Sequence, residues 1–297
     1  MINETSSVME PQSTWGGDWT EKKLEVFGKY VEAYLTIMNK NRYWQLIYFD
    51  AFAGSGNNNK KEASTNNDLL KDLNITQKEH DVYKGAAERV LGITQKGFDF
   101  YYFVDKNKKA IKELEEKLKS KYSDKKLFFR NSDANDEIKK LTQSIQKNKN
   151  LKALVLLDPF GMQVDWASIE TFKGFSGVDL WILIPTGVIV NRLLDKNGEL
   201  EYINKLASFF GLDERSIRKY FYIEEQDLFG ESIISKVSKP IHKIAELYIA
   251  RLKEIFSEVI DKPLEMRNDK NVPIYHFVFA SNNKTAKKIA KDIIGKF

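Results

Sequence analysis

A glycine-rich turn beside a carboxylate is the part of this sequence best suited to bind a ligand. The stretch Asp50-Ala-Phe52-Ala-Gly54-Ser-Gly56 follows an apolar run. Glycines at a strand end permit a tight turn and let a ligand approach the backbone, while the carboxylate supplies acceptors. The dinucleotide fingerprint Gly-x-Gly-x-x-Gly is not completed, because Asn59 takes its third position. A turn that binds no ligand is the alternative.

Two further carboxylates follow the next apolar runs. Asp105 stands where a carboxylate can accept hydrogen bonds from both hydroxyls of a ribose. Asp133, followed by Ala134, stands where a carboxylate can reach the amino group of an adenine. Either aspartate could instead cap a helix N-terminus. In chain order, the three strand ends outline one adenosine-shaped site.

The fourth apolar run leads into Asp158-Pro159-Phe160-Gly161. This resembles the Asp/Asn-Pro-Pro-Tyr/Phe motif of methyltransferases that act on exocyclic or amide nitrogens. In that motif the Asp oxygen and the next carbonyl accept hydrogen bonds from an NH2 group, and the aromatic ring stacks on the substrate. Here Phe160 takes the place of the second proline and Gly161 that of the aromatic residue. A plain strand end with Phe160 packed inside is the alternative.

Two residues nearby suit a substrate role. Trp166 follows the turn closely and could stack on a base, although a core tryptophan is the alternative. Arg192 lies after the fifth apolar run and could hold a phosphate or carboxylate, unless it forms only a surface salt bridge.

These residues must be positioned by a sheet. Apolar runs that alternate with helical segments predict parallel strands covered on both faces. A later pair of runs joined by a short polar turn predicts an antiparallel hairpin. The predicted strands are 43–49, 98–104, 127–129, 153–157 and 178–184, and the hairpin is 264–267 with 274–280.

The remaining segments complete the organisation. Residues 1–17 carry no periodicity and are predicted to be a mobile arm. An amphipathic helix begins at Asp18, with Glu21 placed as in a capping box, and a last helix spans 285–294. Residues 18–297 then form one domain. Its insertions, at about 57–97 and 195–240, are expected to shape the substrate side.

Five parallel strands followed by a hairpin resemble the plan of class I S-adenosylmethionine-dependent methyltransferases, whose seventh strand runs against the other six. The predicted fold class is therefore α/β: a Rossmann-like methyltransferase fold, mostly parallel, with an antiparallel terminal hairpin. The implied cofactor is S-adenosyl-L-methionine. Its expected contacts are Asp50, Phe52, Gly54, Gly56, Asp105, Asp133 and Ala134.

Across 20–297 the chain resembles the three-Cys-motif partner protein family (TcmP), which is methyltransferase-like. The stretch Asp-Pro-Phe-Gly-x-Gln is the most specific part of this resemblance. It implies a Rossmann-type fold and a partner protein that carries a cysteine motif and resembles radical-SAM enzymes. The matching stretches are YFDAFAGSG (48–56), LDPFGMQVDW (157–166), DLWILIP (179–185) with Asn191-Arg192 after it, and YHFVFAS (275–281).

Composition removes several classes of site. The 297 residues include no cysteine and three histidines, none of them at metal-ligand spacing, so disulfides, thiolate sites and a histidine-held metal are not expected. The longest uncharged run, 180–191, is too short to span a bilayer, and the N-terminus lacks signal-peptide features. A cytoplasmic protein without membrane contact is predicted. The net charge of +5 is compatible with a nucleic-acid partner.

Three functions follow as hypotheses. The first is an S-adenosylmethionine-dependent methyltransferase, in which Asp158, Pro159 and Phe160 orient a nitrogen of a nucleic acid or nucleotide. The second is a methyltransferase-like subunit that docks a partner protein or nucleic acid without turnover. The third, metal-dependent nuclease chemistry, would need Asp50, Asp105 and Asp158 to converge on a two-metal site.

Overall fold

The computed structural model describes residues 18–54, 85–93, 96–226, 229–268 and 270–297, with side chains from Glu21 onward. The predicted N-terminal arm, Gly56 and most of the 57–97 insertion lie outside the described residues. Strands and helices are numbered below in chain order over the described part.

The described residues form an eight-stranded, mostly parallel sheet. Its first five strands pair in parallel in the order β3-β2-β1-β4-β5. The predicted strands are confirmed, and β1 and β2 each extend to include the aspartate that follows the apolar run. The bounds are β1 Gln45–Asp50, β2 Phe100–Asp105, β3 Leu127–Asn131, β4 Leu151–Leu157 and β5 Val178–Ile184.

The far side of the sheet reverses direction. Strand β10 (Pro273–Ser281) runs antiparallel to β5, with His276 opposite Ile184. It also pairs antiparallel with β9 (Leu264–Arg267) and with the two-residue β8 (Glu258–Val259). The predicted hairpin is thus confirmed. The arrangement is compatible with a Rossmann-like fold.

Helices connect the strands and cover the sheet. Helix α1 is described from Asp18, its predicted start, and Glu21 accepts two hydrogen bonds from Arg89 on α2. The alternative interpretation of Asp133, a helix N-cap, is confirmed at α4. The bounds are α1 Asp18–Met38, α2 Ala86–Leu91, α3 Lys108–Lys121, α4 Ala134–Lys147, α5 Trp166–Glu170, α6 Asn191–Leu193, α7 Ile203–Phe210, α8 Glu214–Phe221, α9 Pro240–Leu252 and α10 Lys284–Ile294.

Helix α1 packs along the sheet through an aromatic stripe. Tyr30 lies 5.3 Å from Trp181 of β5 and 4.9 Å from Phe279 of β10, ring centre to ring centre. The Phe27 ring meets Trp181 edge-on at 6.2 Å. Burial of such rings accounts for much of the favourable free energy of a core. The helix is thereby fixed against the middle of the sheet.

The segment predicted as the second insertion carries elements outside the main sheet. Helices α7 and α8 are followed by a separate two-stranded hairpin, β6 (Tyr222–Gln226) and β7 (Ser232–Lys236). Lys236 anchors this hairpin, because its ammonium donates to the Asn191 and Leu194 carbonyls at 2.6 and 2.5 Å. None of the described helices is long and apolar enough to cross a membrane.

Candidate functional site

The carboxyl ends of β1 and β2 are joined by a hydrogen bond. Asp50 closes β1 and Asp105 closes β2. The Gly54 amide donates to Asp105 Oδ2 at 2.9 Å, and the Asn107 amide donates to Oδ1 at 2.7 Å. Gly54 has φ +62°, in the left-handed region that favours glycine. The structure therefore brings Asp50, Gly54 and Asp105 together, as the sequence predicts.

Asp50 is buried, with only 3 % of its surface exposed. Its oxygens accept from the Phe52 amide and the Tyr48 hydroxyl, both at 3.2 Å. Burial raises the pKa of Asp50 to about 7, with repulsion from Asp158 and Asp105 adding to the rise while the two donors oppose it. This carboxyl group therefore changes its protonation state near neutral pH.

Lys23 forms an ion pair at the end of β4 and interacts electrostatically with Asp50 at the end of β1. Its ammonium lies 2.5 Å from Asp158 Oδ2, and both residues are almost fully buried. Burial lowers the pKa of Lys23, against the attraction of Asp158 and Asp50. A buried cation thus stands beside two buried carboxylates, at the edge where Rossmann-like sheets bind ligands.

The sequence analysis missed Lys23, although a signal was present. Lys23 precedes Phe27 by four residues and Tyr30 by seven, so it falls on the apolar stripe of α1. A lysine on a buried helix face requires a buried partner, because an isolated charge there is too costly.

The turn after β4 is held in shape by its own neighbours. The Phe160 amide donates to the side-chain oxygen of Gln163 at 2.9 Å, which gives a structural role to the glutamine of the Asp-Pro-Phe-Gly-x-Gln stretch. Gly161 lies against Ile189, since a Cβ there would come within 2.8 Å of its Cδ1. Asp158 and Pro159 are buried and Phe160 is half-buried.

Asp133 caps a helix. It is the N-cap of α4, and its Oδ1 accepts from the Asn135 amide at 2.9 Å. Ala134, the first residue of α4, is buried. Asn135, which sequence reasoning did not single out, donates to the Gln163 carbonyl and accepts from the Asp165 amide, both at 2.9 Å. It thereby ties the end of β3 to the turn after β4.

Trp166 packs in the core instead of facing this group. It is 3 % exposed, and the Arg251 guanidinium lies 4.6 Å from its ring centre. The Tyr248 ring meets it edge-on at 5.6 Å. With only 3 % of its surface exposed, this indole offers no accessible face on which a base could stack. The packing favours the core alternative.

Arg192 lies beyond the end of β5. The chain there forms a π-helical turn, Thr186–Val190, that continues into α6, and Arg192 is an exposed residue of α6.

A buried contact lies at the start of the same turn. The Thr186 hydroxyl lies 2.8 Å from His276 Nδ1 on β10. Burial lowers the pKa of His276 to about 4, with His242 adding to the fall and Glu265 opposing it. This imidazole is therefore neutral at physiological pH.

The described carboxylates do not form a metal site. No group of three or more His, Asp or Glu side chains within the described ranges is placed to hold a metal ion. The convergence of Asp50, Asp105 and Asp158 that the nuclease hypothesis needs is thus not found there.

The arrangement fits a nucleoside-type ligand in two respects. A Cβ built on Gly54 meets no atom of the described residues within 4 Å, so none of them fills the space beside the backbone at the end of β1. Asp105 is held in a fixed position by two backbone amides, one on each of its carboxylate oxygens, at the end of β2.

Comparisons with known proteins assign no family. No family model matches the sequence, and no curated protein matches it. Among solved structures the chain is similar to protein LPL1258 from Legionella pneumophila, described with the family model DUF519. The TM-score is 0.47 and the identity 12 %, over 92 % of this chain and 90 % of that one. A likeness of this degree assigns neither a family nor an activity.

Proposed function

We propose that this chain is an S-adenosylmethionine-dependent methyltransferase that modifies a nitrogen of a nucleic acid or nucleotide. The observation that carries the proposal is the meeting of two features at one sheet edge. The Gly54–Asp105 hydrogen bond places a glycine turn beside a fixed carboxylate, and the Lys23–Asp158 ion pair lies near Asp50, whose charge acts on Lys23.

The topology supports the same class. Five parallel strands followed by the reversed β10 and its hairpin partner β9 match the plan that resembles class I methyltransferases. Parallel strands with one reversed neighbour can serve other functions, so the topology supports the fold class and the site must carry the activity.

The expected cofactor contacts lie at the ends of β1, β2 and β3. Asp105 would accept hydrogen bonds from the ribose hydroxyls, and Gly54 would allow close approach of the ligand to the backbone. Asp50 would attract the positively charged part of the cofactor once ionised. When bound, S-adenosylmethionine supplies an electrophilic methyl group. Asp133 Oδ1 accepts from the backbone and side-chain amides of Asn135, so an adenine amino group would have to use Oδ2, which lies 3.5 Å from the Lys106 ammonium.

The turn after β4 would position the nucleophile. Asp158 and the carbonyl of Pro159 would accept hydrogen bonds from the substrate NH2 group, which raises electron density on its nitrogen. Lys23 fixes the orientation of the Asp158 carboxylate through their ion pair. The half-buried Phe160 ring is the stacking residue of this proposal.

One observation favours a second candidate. Asp158 is 3 % exposed and already paired with Lys23, so its carboxylate serves the fold whether or not a substrate binds. A methyltransferase-like subunit that docks nucleic acid, or a partner protein of the three-Cys-motif kind, would need nothing more from it. In either case we propose a cytoplasmic location.

Calorimetric titration with S-adenosylmethionine and S-adenosylhomocysteine tests the cofactor site. We expect micromolar binding by the wild type and at least a tenfold loss in Asp105→Ala. Asp179→Asn is the matched control, because Asp179 is a half-buried carboxylate at the opposite end of the sheet. Binding by the wild type should tighten from pH 6 to pH 8, as Asp50 loses its proton. Absence of binding at millimolar ligand would contradict the proposal.

Transfer of a radiolabelled methyl group to RNA, DNA and nucleotides then separates the two candidates. The enzyme predicts transfer that Asp158→Ala abolishes while cofactor affinity is kept. Cofactor binding without transfer to any of these substrates would favour the docking subunit.

A further inference from the structure

A strip of aromatic rings runs along one face of β2 and β3. Phe100 and Tyr102 project from β2, and Phe128 projects from β3. Tyr102 and Phe128 are stacked, with ring centres 4.7 Å apart and planes 12° from parallel, and Phe100 lies 6.2 Å from Phe128. All three rings are half-buried. Together with Lys126 and Arg130 we refer to them as the β2–β3 strip.

Two cations lie over these rings. The Arg130 guanidinium is 5.9 Å from the Tyr102 ring centre and 5.8 Å from that of Phe128. The Lys126 ammonium is 5.3 Å from the Phe100 ring centre. Arg130 is exposed. The strip therefore combines flat π-faces with positive charge, along the outermost strand of the described sheet.

The opposite face of β2 and β3 is more deeply buried than the β2–β3 strip. Tyr101 and Phe103 alternate with the strip residues on β2 and are 1 % and 0 % exposed. Helix α3 packs on β2 and β3 through apolar residues such as Leu114 and Leu118, which are buried. The strip rings stay half-buried, and cations lie over them.

We propose that the β2–β3 strip binds single-stranded nucleic acid. Proteins that bind unpaired strands combine aromatic stacking platforms with basic side chains that meet the phosphates, and arginine adds cation–π attraction. The charge of the strip selects a polyanion. Its flat rings select bases that are not already stacked in a duplex. The strip thus has the chemistry of an unpaired strand and not of a duplex groove.

The strip leads toward the candidate site. Arg130 is followed by Asn131, whose side-chain amide donates to the carbonyls of Asp105 at 3.1 Å and of Lys106 at 2.9 Å. A strand held on the strip would pass beside the end of β2. The inference deepens the proposed function by naming the substrate class as single-stranded, but binding to the strip requires no methyl transfer.

Fluorescence anisotropy with labelled 20-nucleotide probes, in the absence of S-adenosylmethionine, tests the inference. The probes are oligo-uridine, oligo-thymidine and a duplex of mixed sequence. We expect the single strands to bind at least tenfold more tightly than the duplex, and a difference between RNA and DNA would identify which of the two is preferred. Phe128→Leu, which removes a stacking face and keeps an apolar side chain, should weaken binding about tenfold.

The charge variant is the double substitution Lys126→Gln with Arg130→Gln. It should lower affinity and also reduce the slope of log affinity against log salt by about 1.4, or about 0.7 for each phosphate that the protein no longer neutralises. Arg215→Gln with Lys219→Gln is the matched control, because it removes the same charge from exposed positions on α8. That control should change affinity less than twofold.

Two results would overturn the inference. One is binding that both double variants weaken equally, which would reflect net charge alone. The other is absence of single-strand binding, with the strip variant gaining only a tendency to aggregate. The strip would then serve to protect an edge strand from pairing with other chains. Because the binding assay contains no S-adenosylmethionine, neither result tests methyl transfer.

Discussion

Helix α1 covers two carboxylate sites, one buried and one half-buried, that differ in the chemistry of their partners. At the carboxyl end of the sheet, Lys23 pairs with Asp158 beside Asp50. At the amino end of β5, Tyr30 of the same helix donates to Asp179 Oδ2 at 2.7 Å, and the Ser281 hydroxyl donates to Oδ1 at 2.6 Å. Lys23 and Tyr30 lie about two turns apart on the same helix face.

The difference separates a structural site from a candidate functional one. Burial raises the pKa of Asp179, and its two hydroxyl donors oppose that rise. The partners of Asp179 are neutral hydroxyl groups, one on each oxygen, and both belong to core elements of the fold. The Lys23 site instead concentrates charge at the carboxyl end of the sheet, near the turn at Gly54. Burial of a carboxylate therefore does not by itself indicate function. The charge of its partners and its position at the carboxyl end of the sheet are the features that do.

The largest effect is expected from Lys23→Met. It would leave two carboxylates buried without their cation, and breaking a buried pair by removing one partner costs about 3–5 kcal/mol. Urea denaturation would measure the free energy of unfolding. Lys112→Met is the control: Lys112 is 73 % exposed in a pair with Glu116, so its loss should cost less than about 1 kcal/mol.

Adding Asp158→Asn to Lys23→Met should restore part of the lost stability, since the unpaired charge is removed as well. If Lys23→Met were no more harmful than its control, the ion pair would contribute nothing to the fold. The contrast with the Asp179 site would then disappear.

The second prediction concerns pH and Asp50. The folded chain keeps the Asp50 proton up to about pH 7, whereas the unfolded chain loses it near the ordinary value of 3.8. Between these values the folded state binds the extra proton, so the stabilisation is complete below the lower pKa and is lost as pH rises through 7.

Wild-type stability should therefore fall relative to Asp50→Asn between pH 5 and pH 7, by at most about 1.4 kcal/mol per pH unit. Denaturation midpoints of both proteins at several pH values measure it. Parallel pH profiles would contradict a raised pKa for Asp50.

The sequence predicted most of the sheet because apolar runs with turn residues at their ends define strands locally. It also predicted that Asp50, Gly54 and Asp105 meet, since parallel strands bring their carboxyl ends to one edge. Both predictions follow from the hydrophobic periodicity of the sequence and from the parallel direction of the strands, so neither requires the tertiary contacts to be known.

The residues that the sequence did not reveal act across long separations. Lys23 meets Asp158 from a helix 135 residues earlier in the chain, and no local pattern names that partner. Asn135 connects two loops through a side chain whose type is equally typical of a helix start. For Trp166 the sequence suggested a contact that the structure does not favour. Its position after the turn suggested a role in binding a base, but it packs against Arg251 of α9, a contact that no local pattern indicates.

The smallest effect is expected at the amino-end site, from Tyr30→Phe. The substitution keeps the ring that packs on Trp181 and removes one of the two hydroxyl donors to Asp179. Loss of a hydrogen bond to this carboxylate should cost about 1–3 kcal/mol. Affinity for S-adenosylmethionine should change less than twofold, because the change lies at the opposite end of the sheet from Gly54. Ser281→Ala, which removes the other donor, should behave in the same way. If either variant lost cofactor affinity while keeping its stability, the two carboxylate sites would be coupled through α1, and their separation into a structural and a functional site would fail.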